Sequence, residues 1–274
     1  MSTPPIALTI AGSDSGGGAG IQADLTTMAA LGAHGTSVIT VVTAQNTVGV
    51  QGLHPLPALV VSAQLDSVVA DLPPQGVKCG LLGTPELVEL VAGAVDRGLA
   101  TPVVDPVLVA TSGDALTTGD VSGIVAAYRD VLVPRTRLLT PNTDEAAALL
   151  GGGSVETVAE CRDAARALLA LGAQAVVITG GVPEGECVDV LATAEGVTEH
   201  RGDAVPTLND HGTGCTYSAA VASYLAHGRD VVSACEQARR FVRRQLEMSR
   251  DWKLGSGHGP VSHLPSSDEP EGES

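Results

Sequence analysis

Short apolar runs rich in β-branched residues alternate along the chain with longer Ala/Leu-rich segments, the pattern of βαβ units that build a parallel sheet. The short runs, at 6–10, 37–43, 77–82, 102–105, 137–140 and 175–179, predict strands. They are continuous rather than alternating in polarity, which predicts burial on both faces. Between them, 21–31, 58–72, 85–97, 119–131 and 155–171 are apolar along one side at a spacing of 3.6 and predict amphipathic helices. Thr84-Pro85-Glu86 opens one of them with a hydroxyl N-cap, a first-turn proline and an acid at the positive end of the helix dipole. After Gly181 the pattern changes: 188–192 and 197–201 predict antiparallel edge strands, and 214–227 and 231–248 two more helices. No repeat or linker-like break interrupts the chain, so one α/β domain over 1–265 is expected, followed by a disordered acidic tail at 266–274.

Composition narrows the chemistry. Of 274 residues, 44% are hydrophobic and 17% charged, enough for a large core. Fifteen basic against 31 acidic residues give a net charge of −16, which argues against a nucleic-acid or anionic-membrane surface. No apolar run approaches the ~20 residues of a membrane span, and Met1-Ser-Thr-Pro-Pro5 has no basic leader character, so a cytoplasmic protein is expected. Five cysteines without C-x-x-C spacing argue against a disulfide framework or a zinc site. Lys78 and Lys253 are the only lysines, so phosphate chemistry would have to use backbone amides, metal ions or arginine. No aromatic residue precedes Tyr128, so an aromatic platform cannot come from the early strands.

Four polar clusters fall at the ends of the expected strands, where open α/β sheets bind ligands. Gly12-Ser-Asp-Ser-Gly-Gly-Gly-Ala-Gly20 matches neither the dinucleotide fingerprint nor Walker A. It is a flexible βα turn or a loop that closes over a small ligand, with Asp24 one turn further on. Thr43-Ala-Gln-Asn-Thr47 is either a turn whose amides satisfy backbone groups or a place where Gln45 offers donors and an acceptor to a heterocycle such as an aminopyrimidine. Thr140-Pro-Asn-Thr-Asp-Glu145 has the spacing of a capping box, with Asn142 as N-cap and Glu145 at N3; the same pair could hold a water-clad Mg²⁺. Asp210-His-Gly-Thr-Gly-Cys-Thr216 precedes an Ala-rich helix. The amides of Gly212, Thr213, Gly214 and Cys215 would point outward there as an anion site, and the same field would favour a Cys215 thiolate. The plain alternative is a glycine turn with a small buried cysteine.

Together and in this order, the clusters resemble the hydroxymethylpyrimidine (phosphate) kinases of thiamine synthesis, within the ribokinase-like superfamily. The resemblance runs from Ala7 to His263 and includes Asp105-Pro-Val107, Ser112-Gly-Asp114 and Gly257-His-Gly-Pro260 with His263. It implies a ribokinase-like three-layer α/β/α fold with a central, mostly parallel sheet and short antiparallel edge strands. The implied activity is ATP-dependent phosphorylation of the hydroxymethylpyrimidine and of its monophosphate, with Mg²⁺. By resemblance, Asp24, Gln45 and Gly12 bind the substrate, Asn142 and Glu145 organise Mg²⁺, and Asp105 lies near the phosphates. Thr179 and Gly181 stand near the adenine. Gly212, Thr213, Gly214 and Cys215 form the anion hole, with Cys215 as the base where most of the superfamily has aspartate. A homodimer is implied as well. Family members often carry lysine where this chain has Thr111 and Thr179, which bears on phosphate binding and on the second transfer. A pyridoxal kinase on the same fold, and a non-catalytic pyrimidine sensor, are the alternatives.

Overall fold

The computed structural model describes residues 3–108, 120–181 and 185–264. The Ser112-Gly-Asp114 motif, Thr111 and the 266–274 tail lie outside them. A single nine-stranded sheet is ordered β3-β2-β1-β4-β5-β6-β7-β8-β9, formed by β1 (Ile6–Asp14), β2 (His34–Asn46), β3 (Gly49–Pro55), β4 (Gly76–Cys79), β5 (Val103–Val104), β6 (Leu138–Leu139), β7 (Val176–Gly181), β8 (Glu186–Thr193) and β9 (Gly196–Asp203). The strands from β2 through β1 to β7 are parallel. The pairs β2–β3, β7–β8 and β8–β9 are antiparallel, so the expected edge strands are present at the far side.

Helices cover both faces: α1 (Gly20–Ala30), α2 (Ala58–Asp71), α3 (Pro85–Asp96), α4 (Val121–Ala127), α5 (Thr143–Leu149), α6 (Val158–Ala170), α7 (Thr213–Ala226) and α8 (Val231–Ser249). Neighbouring strand residues divide between two cores. Val104, Leu139, Val176 and Ile178 pack toward α2–α6, while Val103, Leu138 and Val177 pack toward α7 and α8. That division is the expected three-layer sandwich, and it explains why these strands lack polar alternation. Alanines at 219, 220 and 222 are fully buried on α7, and a Cβ on Gly76 would run into the Ala222 carbonyl. Small residues on both sides thus let α7 lie close against β4, which sets its first turn over the strand ends.

Several boundaries differ from expectation. The first strand continues to Asp14 through a register shift between Ala11 and Ser13, a bulge that re-aims the Ser13-Asp14 end. Gln45 and Asn46, expected just past a strand, are strand residues of β2. They lead into β3, which the sequence reading omitted because Gly49-Val-Gln-Gly-Leu-His-Pro55 carries two glycines and a terminal proline. Asn46 Oδ1 accepts from Val48 N at 2.9 Å, closing the hairpin as the turn alternative required. The helix expected to reach residue 131 leaves α geometry after Ala127. A π turn at Tyr128–Leu132 and a 3₁₀ turn at Val133–Arg135 end it, the latter containing Pro134. Thr84 caps α3 as read, accepting from Leu87 N at 3.3 Å.

Candidate active site

The chain switches sides of β1 between β2 and β4, and a cavity of about 390 Å³ opens at the carboxyl ends of these strands. One wall is the Gly12–Gly20 turn. Asp14 organises it, accepting from the amides of Gly16 (2.8 Å), Gly18 (3.1 Å) and Ala19 (2.9 Å). Burial pushes the Asp14 carboxyl up, but the bond from His211 and the amides of Gly16 and Ala19 outweigh it and hold the group below its usual range. Gly20 has φ +58, and a Cβ there would meet the Gly12 carbonyl. A substituent at Gly212 (φ +86) would likewise strike the Gly18 carbonyl, so the glycine-rich turns ahead of α1 and α7 touch and only glycine fits their contact.

The adjoining wall is the start of α7. Gly212, Thr213, Gly214 and Cys215 all line the cavity, and no side chain caps the helix. The Thr213 amide is turned inward to the Asp210 carbonyl at 3.1 Å, so it does not serve as part of the anion hole. Among the described residues, no hydrogen bond from the amides of Gly214 and Cys215 is found, and first-turn amides of a helix are the ones free to meet an anion. Cys215 is half-buried and faces the cavity. Its thiol is not lowered as the helix dipole suggested. Burial pushes it up to about 12, Lys78 opposes this, and the negative charges of Asp24 and Asp105 add to it. At neutral pH the resting group is therefore a thiol.

Lys78 is the site residue that composition reasoning missed. It is fully buried on β4, lines the cavity, and donates to both oxygens of Asp24 at 2.9 and 2.8 Å. Burial works against its charge, but Asp24, Cys215 and Asp105 hold the ammonium protonated. A lone lysine inside the apolar run Val77-Lys-Cys79 was the available signal. Asp24, expected at the substrate, is fully buried behind this lysine. It also accepts from Thr9 Oγ1 at 2.6 Å, so the structure places it beneath the cavity wall rather than on it.

Asp105, Asn142, Glu145 and Thr179 line the cavity as expected, and so do Gly12 and Gln45. Gly181 pairs with Val188 in the sheet. Asp105 accepts from Ser218 on α7 at 3.0 Å. The capping box at α5 forms in full: Asn142 Oδ1 accepts from Glu145 N at 2.8 Å, and Glu145 Oε2 from Asn142 N at 3.0 Å. Burial and then the Asp105 charge raise the Glu145 carboxyl to about 8. Among the described residues no three acidic, His or Cys side chains are set to grip a metal directly. The oxygens of Glu145 and Asp105 fit a hydrated Mg²⁺ carried on a nucleotide.

The raised Glu145 value has a stability consequence. The folded state holds the proton more tightly than the unfolded chain, so this group stabilises the fold below its unfolded pKa. That contribution is lost as pH rises through about 8. Glu145→Gln is expected to gain Tm relative to the parent progressively from about pH 4.5 to 8. A Tm difference that stays flat across thermal scans in that window would refute it.

Gln45 and His211 close the end of the cavity nearest β2. Gln45 Nε2 lies 3.4 Å from His211 Nε2, which is 3.0 Å from Asp14 Oδ2, and Gln45 Oε1 lies 3.2 Å from Thr43 Oγ1.

The phosphomethylpyrimidine kinase family model matches residues 14–262. The hydroxymethylpyrimidine/phosphomethylpyrimidine kinase of Streptomyces coelicolor is 47% identical over 263 residues, covering 95% of each protein. Thiamine biosynthetic bifunctional enzyme TH1 of Arabidopsis thaliana is 46% identical over 95% of this chain, but the chain spans only 50% of that longer protein. Among solved structures, the pyridoxal kinase from Staphylococcus aureus in complex with AMP-PCP and pyridoxal superimposes with a TM-score of 0.87 at 30% identity, covering 97% of this chain and 96% of that one. With the order of motifs, the sheet topology and these likenesses in agreement, the chain belongs to the phosphomethylpyrimidine kinase family, on the ribokinase-like fold.

Proposed function

We propose that this protein transfers the γ-phosphoryl group of ATP to the hydroxymethyl oxygen of 4-amino-5-hydroxymethyl-2-methylpyrimidine, and then phosphorylates the monophosphate to the diphosphate. The observation that carries the reading is the pairing, in one cavity, of an uncapped helix start bearing Cys215 with the Gln45 amide, which lies beside His211. The amides of Gly214 and Cys215 hold the transferring phosphoryl group, and Lys78 supplies fixed positive charge below them. Gln45 reads the pyrimidine edge. Cys215, in its minor thiolate form, takes the hydroxyl proton as the bond to phosphorus forms. Because phosphoryl-transfer transition states are loose, alignment and charge neutralisation contribute more than the base. Asn142, Glu145 and Asp105 would hold a hydrated Mg²⁺, which would neutralise phosphate charge. Thr179 stands on the nucleotide side. A homodimeric, cytoplasmic, single-domain enzyme is part of the same proposal.

The test is ATP consumption with the hydroxymethylpyrimidine, with mass analysis for one or two added phosphates. No pyrimidine-dependent consumption would refute the reading. The likeness to a pyridoxal kinase at a TM-score of 0.87 favours pyridoxal as the second candidate substrate, and a comparison of kcat/KM for the two ranks them. Gly214→Val probes the cradle. A Cβ at Gly214 comes only within 3.7 Å of Asp105 Oδ2, so the fold tolerates it, but the larger side chain fills the phosphate position. ATP affinity is expected to fall more than about tenfold, by loss of a charge-assisted contact; unchanged ATP binding by calorimetry would contradict the cradle.

A further inference from the structure

At the pyrimidine end of the cavity, the positions of the protons follow from hydrogen-bond bookkeeping. Asp14 Oδ1 accepts from Gly16 N and Oδ2 from Gly18 N and Ala19 N; these amide donors favour the ionised carboxylate, which can only accept. His211 Nε2, 3.0 Å from Oδ2, must therefore bear the hydrogen and donate it, whether the ring is neutral or charged. With the NH₂ arm of Gln45 toward this nitrogen, two N–H groups face each other at 3.4 Å. On the other side, Thr43 Oγ1 lies 3.0 Å from the Ser13 carbonyl, which can only accept. The single Thr43 hydroxyl hydrogen goes to that carbonyl, and Oγ1 then presents a lone pair to Gln45, 3.2 Å away. Turning the amide plate over repairs both contacts without moving a heavy atom.

We propose that His211 is a positioning residue for substrate selection: its single Nε2–H, shared between Asp14 Oδ2 and the Gln45 oxygen as a three-centre hydrogen bond, holds the Gln45 carbonyl on the His211 side and the Gln45 NH₂ toward Thr43. This rests on the reading that an aminopyrimidine occupies the cavity. The free lone pair of the carbonyl and the second amide hydrogen then face the ligand side by side. They accept from an exocyclic amino group and donate to the adjacent ring nitrogen. The hydroxymethyl group must point to the start of α7, so the ring cannot turn over to suit the opposite pattern. A 4-oxo analogue, which carries C=O and N–H at those two positions, meets acceptor with acceptor and donor with donor.

The experiment compares kcat/KM for the 4-amino substrate and its 4-oxo analogue in the parent, His211→Phe and His211→Gln. The phenyl ring keeps volume without a donor, whereas the glutamine amide can restore one. The parent is expected to prefer the amino substrate strongly. The preference should narrow at least about tenfold in His211→Phe, with KM for ATP unchanged, and recover in His211→Gln. A purely structural role would depress both substrates together, and an unchanged ratio would overturn the proposal. A second measurement needs no turnover. In the NMR spectrum of the substrate-free protein, the Gln45 side-chain NH₂ protons are expected to show NOEs to the Thr43 methyl group. NOEs to the His211 ring instead would overturn the assignment, even if no pyrimidine proved to be a substrate.

Discussion

Cys215→Ala is expected to lower kcat by about 10²–10⁴, the range for loss of a positioned proton acceptor, with nucleotide affinity nearly unchanged. The amides that hold phosphate belong to the backbone of α7, and alanine keeps both them and the helix. The sulfur is what disappears. Because burial and the nearby carboxylates put the thiol at about 12, the thiolate is a small and growing fraction throughout the neutral range. kcat/KM of the parent should therefore keep climbing with pH between about 9 and 10, above the Glu145 ionisation at about 8, and that slope should vanish in the alanine variant. Stopped-flow kinetics with calorimetry of ATP binding reads both parts. Near-native turnover, or a slope that survives the substitution, would remove Cys215 from proton transfer and leave the amide cradle standing.

Lys78→Met is expected to destabilise the protein by about 3–5 kcal/mol, because it strands the Asp24 carboxylate, which is fully buried with the lysine as its ion partner. Urea unfolding at neutral pH measures the loss. Adding Asp24→Leu to Lys78→Met should recover much of it, since replacing both members of a buried pair with apolar groups is often neutral or better. Activity should not return with stability. The double variant still lacks the ammonium that faces Cys215 and Asp105 at the cavity floor. A single variant as stable as the parent would show that the pair contributes nothing to the fold.

Reading the sequence located four polar clusters, and the structure brings residues of all four into the lining of one cavity. The capping box at Asn142 and Glu145 was legible because it is a local rule of spacing three, and both residues also line the cavity. The Gly212–Cys215 turn was legible as an unpartnered helix start, for the same local reason. Thr213 was assigned outward wrongly: the Asp210 carbonyl that captures its amide depends on the φ +86 turn at Gly212. Asp24 was placed at the substrate by resemblance, yet its partner Lys78 lies 54 positions away, and no local pattern joins them. The link between His211 and Asp14 spans 197 positions and was equally invisible.

The one-dimensional chain thus determined what periodicity and short-range chemistry can carry: a buried parallel sheet, the helices on it, their caps, and the glycine turns at the strand ends. Burial and charge at the site were decided only in three dimensions. The Cys215 thiol is raised rather than lowered, Lys78 brings a cation to the cavity although phosphate chemistry was expected to do without lysine, and the Gln45 amide takes its orientation from His211. Local rules act within one helical turn, whereas desolvation and Coulomb interactions depend on which distant segments the fold packs together.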